Sequence, residues 1–170
     1  MRTLFDEKQI AARIEELAAA MADDLPKDFL LAPVLTGAFI FAADLVRALH
    51  RYGADPLVDF VQLSSYAGAR QSSGVVTLLK DFSVDIEGQT VLLVDDVLDT
   101  GRSLHFGKAM VLDRGAKAAK TCVLVKKRTG HAEDLHPEYI GFEAPGDAFL
   151  IGYGMDDGGR RRGVPVIGAV

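Results

Sequence analysis

The chain has 170 residues, 49% hydrophobic and 25% charged, with 19 Lys and Arg against 24 Asp and Glu, for a net charge of −5 and a pI near 5.3. That length predicts one domain, residues 1–170, able to bury about 70% of the surface its unfolded form exposes, and the acidic balance argues against wholesale binding to nucleic acid or membrane. The lone Cys122 excludes an intramolecular disulfide and a Cys-based metal cluster, while Asp6 and Glu7 stand where a secretory signal would need an apolar core, so a soluble cytoplasmic protein is expected.

Ile10, Ile14, Leu17 and Met21 recur at helical spacing with Arg13, Glu15 and Glu16 between them, which predicts an amphipathic first helix. Phe29 to Leu35 reads as a buried strand, turned by Thr36-Gly37 into an apolar helix over 38–49 that ends near His50. The uncharged run Phe29 to Ala43 has 15 residues and is broken by Pro33, Thr36 and Gly37, too short for the roughly 20 apolar residues of a spanning helix. After Gly53, Val58 to Leu63 predicts a strand, and the Ser- and Gly-rich segment Ser64 to Gly74 predicts a long functional loop. Val75 to Leu79 is a further strand and Asp85 to Gly88 a turn. Val91 to Val94 is a strand buried on both faces, and a helix runs from about Ser103 to Arg114, closed by Gly115. Ala119 to Val125 and the shorter Phe149 to Gly152 complete the strands. Strands alternating with helices predict an α/β fold with a mostly parallel sheet.

Chemistry concentrates in Val91-Leu92-Leu93-Val94-Asp95-Asp96-Val97-Leu98-Asp99-Thr100-Gly101-Arg102-Ser103-Leu104. A buried strand here delivers paired carboxylates to its C-terminal end, where ligands bind in open α/β sheets. The turn that follows opens a helix whose free N–H groups, with the Thr100 and Ser103 hydroxyls, can cradle a phosphate, and Gly101 lets the backbone approach it. Carboxylates for sugar hydroxyls or hydrated Mg²⁺ beside a phosphate cradle describe a ribose 5-phosphate site.

This segment resembles the phosphoribosyl pyrophosphate motif of the type I phosphoribosyltransferases, and of their hypoxanthine-guanine branch in particular, because Asp99 stands at that branch's catalytic Asp position. Leu35-Thr36-Gly37-Ala38 and the helix after it are similar to the family's pyrophosphate loop. Val58-Asp59-Phe60 with Ser64-Ser65-Tyr66 is similar to its catalytic-loop region, Lys127-Arg128-Thr129 to its purine-contacting strand end, and Ile140 to Asp156 to the hood over the base. The resemblance spans roughly residues 8 to 168. It implies a mostly parallel central sheet flanked by helices, with a small hood formed by about 140–170 and the N-terminal segment.

The implied reaction transfers 5-phosphoribosyl from phosphoribosyl pyrophosphate to hypoxanthine or guanine, with Mg²⁺ as cofactor and a homodimer or homotetramer as assembly. By the same resemblance, Asp95 and Asp96 hold the ribose hydroxyls directly or through Mg²⁺, and Thr100, Gly101, Arg102 and Ser103 bind the 5-phosphate. Asp99 exchanges a proton with purine N7. Lys127 donates to the 6-oxo group, Phe149 stacks on the ring and the Leu150 backbone reads its edge. Asp156 ligates a second Mg²⁺, Arg162 clamps pyrophosphate over Thr36 and Gly37, and Ser65 and Tyr66 close over the site. The peptide leading into Thr36 can be cis in the family.

Three positions depart from the pattern. Asp95 replaces a frequent Glu, Thr36 a frequent Lys or Arg, and Asp157 an aromatic, followed by Gly158-Gly159, which predicts a looser hood there. Two alternatives share the fold: a xanthine-guanine transferase, and a pyrimidine-operon RNA-binding regulator, which carries Tyr at the Asp99 position and favours a basic face. A phosphoacceptor receiver domain also begins with an acidic pair after a strand, but about 90 residues precede the pair here.

Overall fold

The computed structural model describes residues 1–65, 76–128 and 135–170. In chain order the elements are β1 (Arg2–Phe5), α1 (Glu7–Asp24), β2 (Leu30–Leu35), α2 (Phe39–Arg51), β3 (Leu57–Val58), β4 (Val61–Ser65) and β5 (Val76–Lys80). They continue with β6 (Thr90–Leu98), α3 (Arg102–Asp113), β7 (Ala118–Arg128), β8 (Tyr139–Pro145), β9 (Leu150–Ile151) and β10 (Ile167–Ala169).

The large sheet runs β5-β4-β2-β6-β7-β8, with β3 also beside β2, and every pair is parallel except β4 with β5. Its centre, β6, is buried on both faces, as its continuous apolar run requires. Leu92 and Val94 pack toward α1 and α2, and Val91 and Leu93 toward α3. The predicted first helix forms, burying Ile10, Ile14, Leu17, Ala18 and Met21. It starts at a capping box in which Gln9 N donates to Asp6 Oδ1 and Asp6 N donates to Gln9 Oε1, each at 2.9 Å.

Two features differ from the sequence reading. The single strand expected over Val58 to Leu63 is split into β3 and β4 around Asp59. That side chain turns inward to accept from the amides of Phe60 (2.8 Å), Ser83 (2.5 Å) and Val84 (3.2 Å). The hood also begins later than about residue 140. Tyr139–Pro145 is instead the edge strand of the large sheet, where Arg13 of α1 donates to the Ile140 and Gly141 carbonyls at 2.8 Å each and covers the edge. A separate three-stranded antiparallel sheet, β1-β10-β9, joins the N-terminal strand to the C-terminal segment and forms the hood. Tyr66 to Gly74, most of the expected loop, lies outside the described residues.

This topology fixes where a ligand can sit. From β2 the chain crosses over α2 to β4 on one side, and from β6 it crosses over α3 to β7 on the other. The connections therefore diverge between the C-terminal ends of β2 and β6, opening a crevice at the switch point of the sheet.

Candidate active site

The crevice is a cleft of about 530 Å³. Into it come Thr36 and Gly37 from the end of β2, Asp95 to Asp99 from β6, Thr100 to Ser103 from the turn into α3, and Asp156 and Arg162 from the hood. Eleven of the residues singled out from sequence thus share one cavity, although they lie on four separate stretches of chain.

Strand β6 continues through the acidic pair to Leu98, with Asp95 in register with Val123 of β7 and Leu98 with Lys126. The pair is braced locally: Asp96 N donates to Asp95 Oδ1 at 3.0 Å, and Val97 N to Asp96 Oδ1 at 2.9 Å. Burial pushes the Asp95 carboxyl well above the ordinary carboxylate range, and the Asp96 charge beside it pushes the same way. Burial also raises Asp96, against the pull of its hydrogen bonds to Asp95 and Val97 and of the Arg162 charge. The two carboxylates await a group that shares their charge or donates to them, such as a hydroxyl or a hard cation.

Gly37 is dictated by this pair. A Cβ there would stand 1.8 Å from Asp96 Oδ2, so any side chain would collide with the carboxylate. The Leu35–Thr36 peptide is cis, as the family resemblance allows. Gly154 of the hood seats on the same loop: its φ is +102°, and a Cβ on it would lie 2.1 Å from the Gly37 carbonyl oxygen. Sequence reasoning placed Gly154 in the hood motif but did not identify this contact. The Gly-Tyr-Gly spacing was its only visible trace.

Helix α3 begins at Gly101, whose φ of +77° turns the chain out of β6, and no side chain caps it. Its first amides are left to the cleft, apart from a long 3.5 Å contact of Arg102 N to Thr100 Oγ1. Uncapped N–H groups at the positive end of a helix dipole are an anion site.

Across the cleft Arg162 donates to the Gly154 carbonyl at 2.7 Å and pairs with Asp156 at 2.7 Å, while Asp156 Oδ2 accepts from Gly159 N at 2.6 Å. Lys127, at the end of β7, pairs with Asp99 at 3.1 Å; its side chain is only 13% exposed, against 53% for Asp99. Phe149 and Leu150 are not cleft-lining. Phe149 is 53% exposed and Leu150 is buried in β9. Ser65 closes β4, and Tyr66 lies outside the described residues. The hood segment expected to be loose is closed, since Asp157 and Arg160 exchange two backbone hydrogen bonds of 3.1 Å around Gly158-Gly159.

Among the described residues no three His, Cys, Asp or Glu side chains gather as a metal cage. The oxygen donors in the cleft are the adjacent Asp95–Asp96 pair and Asp156. Such a set suits Mg²⁺, which keeps water and substrate oxygens in its shell and takes only one or two carboxylates from the protein.

A parallel sheet that brings paired carboxylates and an uncapped helix together at its switch point is built to hold a phosphate ester bearing free hydroxyls. The chain belongs to the phosphoribosyl transferase domain family, whose model matches residues 2–157. It is 40% identical over 169 residues to the hypoxanthine-guanine phosphoribosyltransferase of Aquifex aeolicus, spanning 98% of this chain and 93% of that protein. It is 35% identical over 170 residues to the Bacillus subtilis protein of the same name, at 99% and 92%. Among solved structures, a hypoxanthine-guanine phosphoribosyltransferase from Bacillus anthracis matches with a TM-score of 0.91 at 38% identity, covering 100% of this chain and 98% of that one.

Proposed function

We propose that this chain transfers the 5-phosphoribosyl group of phosphoribosyl pyrophosphate to hypoxanthine or guanine, releasing pyrophosphate and giving the purine nucleotide. The observation that carries this reading is the shared cleft: the Asp95-Asp96 pair, the uncapped start of α3 and the Thr36-Gly37 loop face one another, with the Lys127–Asp99 pair at the end of the neighbouring strand. The 5-phosphate rests on the amides of Gly101 to Ser103, with the Thr100 and Ser103 hydroxyls and Arg102 beside it. The ribose hydroxyls lie on Asp95 and Asp96, and the pyrophosphate lies between the Thr36-Gly37 loop and Arg162.

Lys127 donates to the 6-oxo oxygen of the base, which selects 6-oxopurines over adenine, whose exocyclic amine cannot accept that bond. Asp99, one hydrogen bond from Lys127, holds the proton of purine N7 and takes it as the new bond to the ribose forms. Phe149 covers the ring face, the Leu150 backbone reads the ring edge, and Ser65 and Tyr66 close the site against water. Bound Mg²⁺ supplies charge neutralisation for the departing pyrophosphate, and Asp95, Asp96 and Asp156 are the carboxylates that would hold it.

The same reading makes the protein a cytoplasmic homodimer or homotetramer. Its support is the half-exposed Phe39 at the head of α2 and the buried free thiol of Cys122; sizing in solution and cell fractionation test it. For the reaction itself, purified protein is given Mg²⁺, phosphoribosyl pyrophosphate and each base in turn. IMP, GMP or both are expected. Failure with every 6-oxopurine, together with tight binding of a pyrimidine-leader RNA, overturns the transferase reading.

A further inference from the structure

We propose that Arg160 and Arg161 are capture residues for the polyanionic substrate: they speed its arrival at the cleft without contacting it once bound. The inference rests on the transferase reading, and it begins from a mismatch of charge. Four carboxylates, Asp95, Asp96, Asp99 and Asp156, line the cleft against two guanidiniums, Arg102 and Arg162. Arg162 is already tied to Asp156, and the nearby Lys127 to Asp99. The chain as a whole carries −5. An incoming pyrophosphate ester, itself strongly anionic, therefore meets a repulsive mouth unless something local reverses the field.

The hood hairpin provides that reversal. Its tip is Gly158-Gly159, with φ of +58° and +83°, and two 3.1 Å backbone hydrogen bonds between Asp157 and Arg160 close it. The hairpin is anchored to the cleft wall, since Gly159 N donates to Asp156 Oδ2 at 2.6 Å. Arg160 and Arg161 leave it exposed, and among the described residues neither makes an ion pair. Arg161 has a φ of +66°, a left-handed conformation that costs a non-glycine residue free energy, here for an exposed side chain.

Successive Cα atoms are about 3.8 Å apart, so both arginines stem within about 8 Å of the Arg162 backbone, which is about one Debye length at physiological salt. They remain charged at any working pH. Charges so placed act on encounter rather than on the bound complex, and their effect is screened by salt.

The test uses the full chain with Arg160→Gln and Arg161→Asn combined, Asn being chosen because it tolerates the left-handed backbone. The probe is Mg²⁺ with a fluorophore-labelled pyrophosphate, followed by stopped flow across a salt series. At low salt the double variant is expected to associate about three- to tenfold more slowly than the unchanged protein, with the dissociation rate within about twofold. The two association curves should converge near 0.5 M salt, where the Debye length has shrunk to about 4 Å. Arg160→Glu should slow association further at low salt.

Equal association rates at low salt overturn the proposal. So does a faster dissociation that persists at high salt, which would mean direct ligation. Purine turnover by the unchanged protein is measured separately, so a failure of the transferase reading is seen independently of the arginines.

Discussion

Gly37→Ala places one methyl group where the structure has no room for it. The new Cβ would lie 1.8 Å from Asp96 Oδ2 and 2.5 Å from its Cγ, so Asp96 must rotate away or the β2–α2 loop must retreat. Rotation is the easier course, because it moves a side chain and not a buried strand. It breaks the 2.9 Å hydrogen bond from Val97 N to Asp96 Oδ1. A hydrogen bond to a charged, buried group contributes about 1.5–3 kcal/mol. If that loss is borne mainly by substrate binding, it corresponds to about 10- to 100-fold in kcat/KM for phosphoribosyl pyrophosphate, at 1.36 kcal/mol per tenfold.

The assay is steady-state kinetics with the pyrophosphate substrate varied at saturating base, beside a urea melt of the same variant. The expected result is a raised KM for phosphoribosyl pyrophosphate with a cooperative melt retained. Gly154→Ala serves as the control: it presses on the Gly37 carbonyl oxygen, 2.1 Å from its Cβ, from the hood side and adds left-handed strain, so it should lower stability more than Gly37→Ala does. If Gly37→Ala leaves both the KM and the urea midpoint unchanged, Asp96 does not hold the position described, and its assignment to the ribose fails with it.

Asp99→Asn keeps the shape of the side chain and removes its basicity, so kcat should fall by about 10²–10⁴-fold while phosphoribosyl pyrophosphate still binds; an unchanged kcat under chemistry-limited conditions removes Asp99 from proton transfer. Lys127→Gln removes a nearly buried cation and should lower kcat/KM for hypoxanthine by about 10- to 100-fold, with little change in the KM for phosphoribosyl pyrophosphate. Asp59 gives a pH test of the fold. Burial alone would raise its carboxyl, but the amides of Ser83, Phe60 and Val84, with the Lys80 charge, outweigh burial and hold it below the ordinary range. A carboxylate depressed in the folded state contributes stability that is present above its unfolded pKa, about 3.9, and lost as pH falls through the lower folded value. Urea midpoints measured from pH 6 to pH 2.5 should therefore drop below about pH 4 in the unchanged protein and drop less steeply in Asp59→Asn.

Much of the fold was legible because the sheet is buried on both faces. Continuous apolar runs such as Val91 to Val94 and Cys122 to Val125 can satisfy neither a solvent-facing strand nor a loop, so parallel strands followed from them. Strand β8 escaped for the opposite reason. It is an edge strand with Gly141 and Pro145 inside it, and its stability comes from outside, through Arg13 of α1 donating to its carbonyls. A one-dimensional pattern carries no sign of a partner 128 residues away. The break at Asp59 was hidden likewise, because the amides that draw the carboxylate inward belong to Ser83 and Val84.

The site shows the same division between local and distant causes. The pairing of Asp95 with Asp96 and the turn at Gly101 lie within eight residues, so strand, carboxylates and helix start could be read as a unit from the sequence. The close seating of Asp96 on Gly37, and of Gly154 on the Gly37 carbonyl, joins three distant segments, and a glycine in the sequence does not say which distant group will approach it. Charge was least legible of all. The chain carries −5, yet the proposed substrate is a polyanion, and the Lys127–Asp99 and Arg162–Asp156 pairs hold two of the cations it would meet. Lys127 and Arg162 are each stored against a carboxylate. Binding then exchanges one partner for another instead of desolvating a solitary charge, and net charge, which sums over such pairs, cannot disclose them.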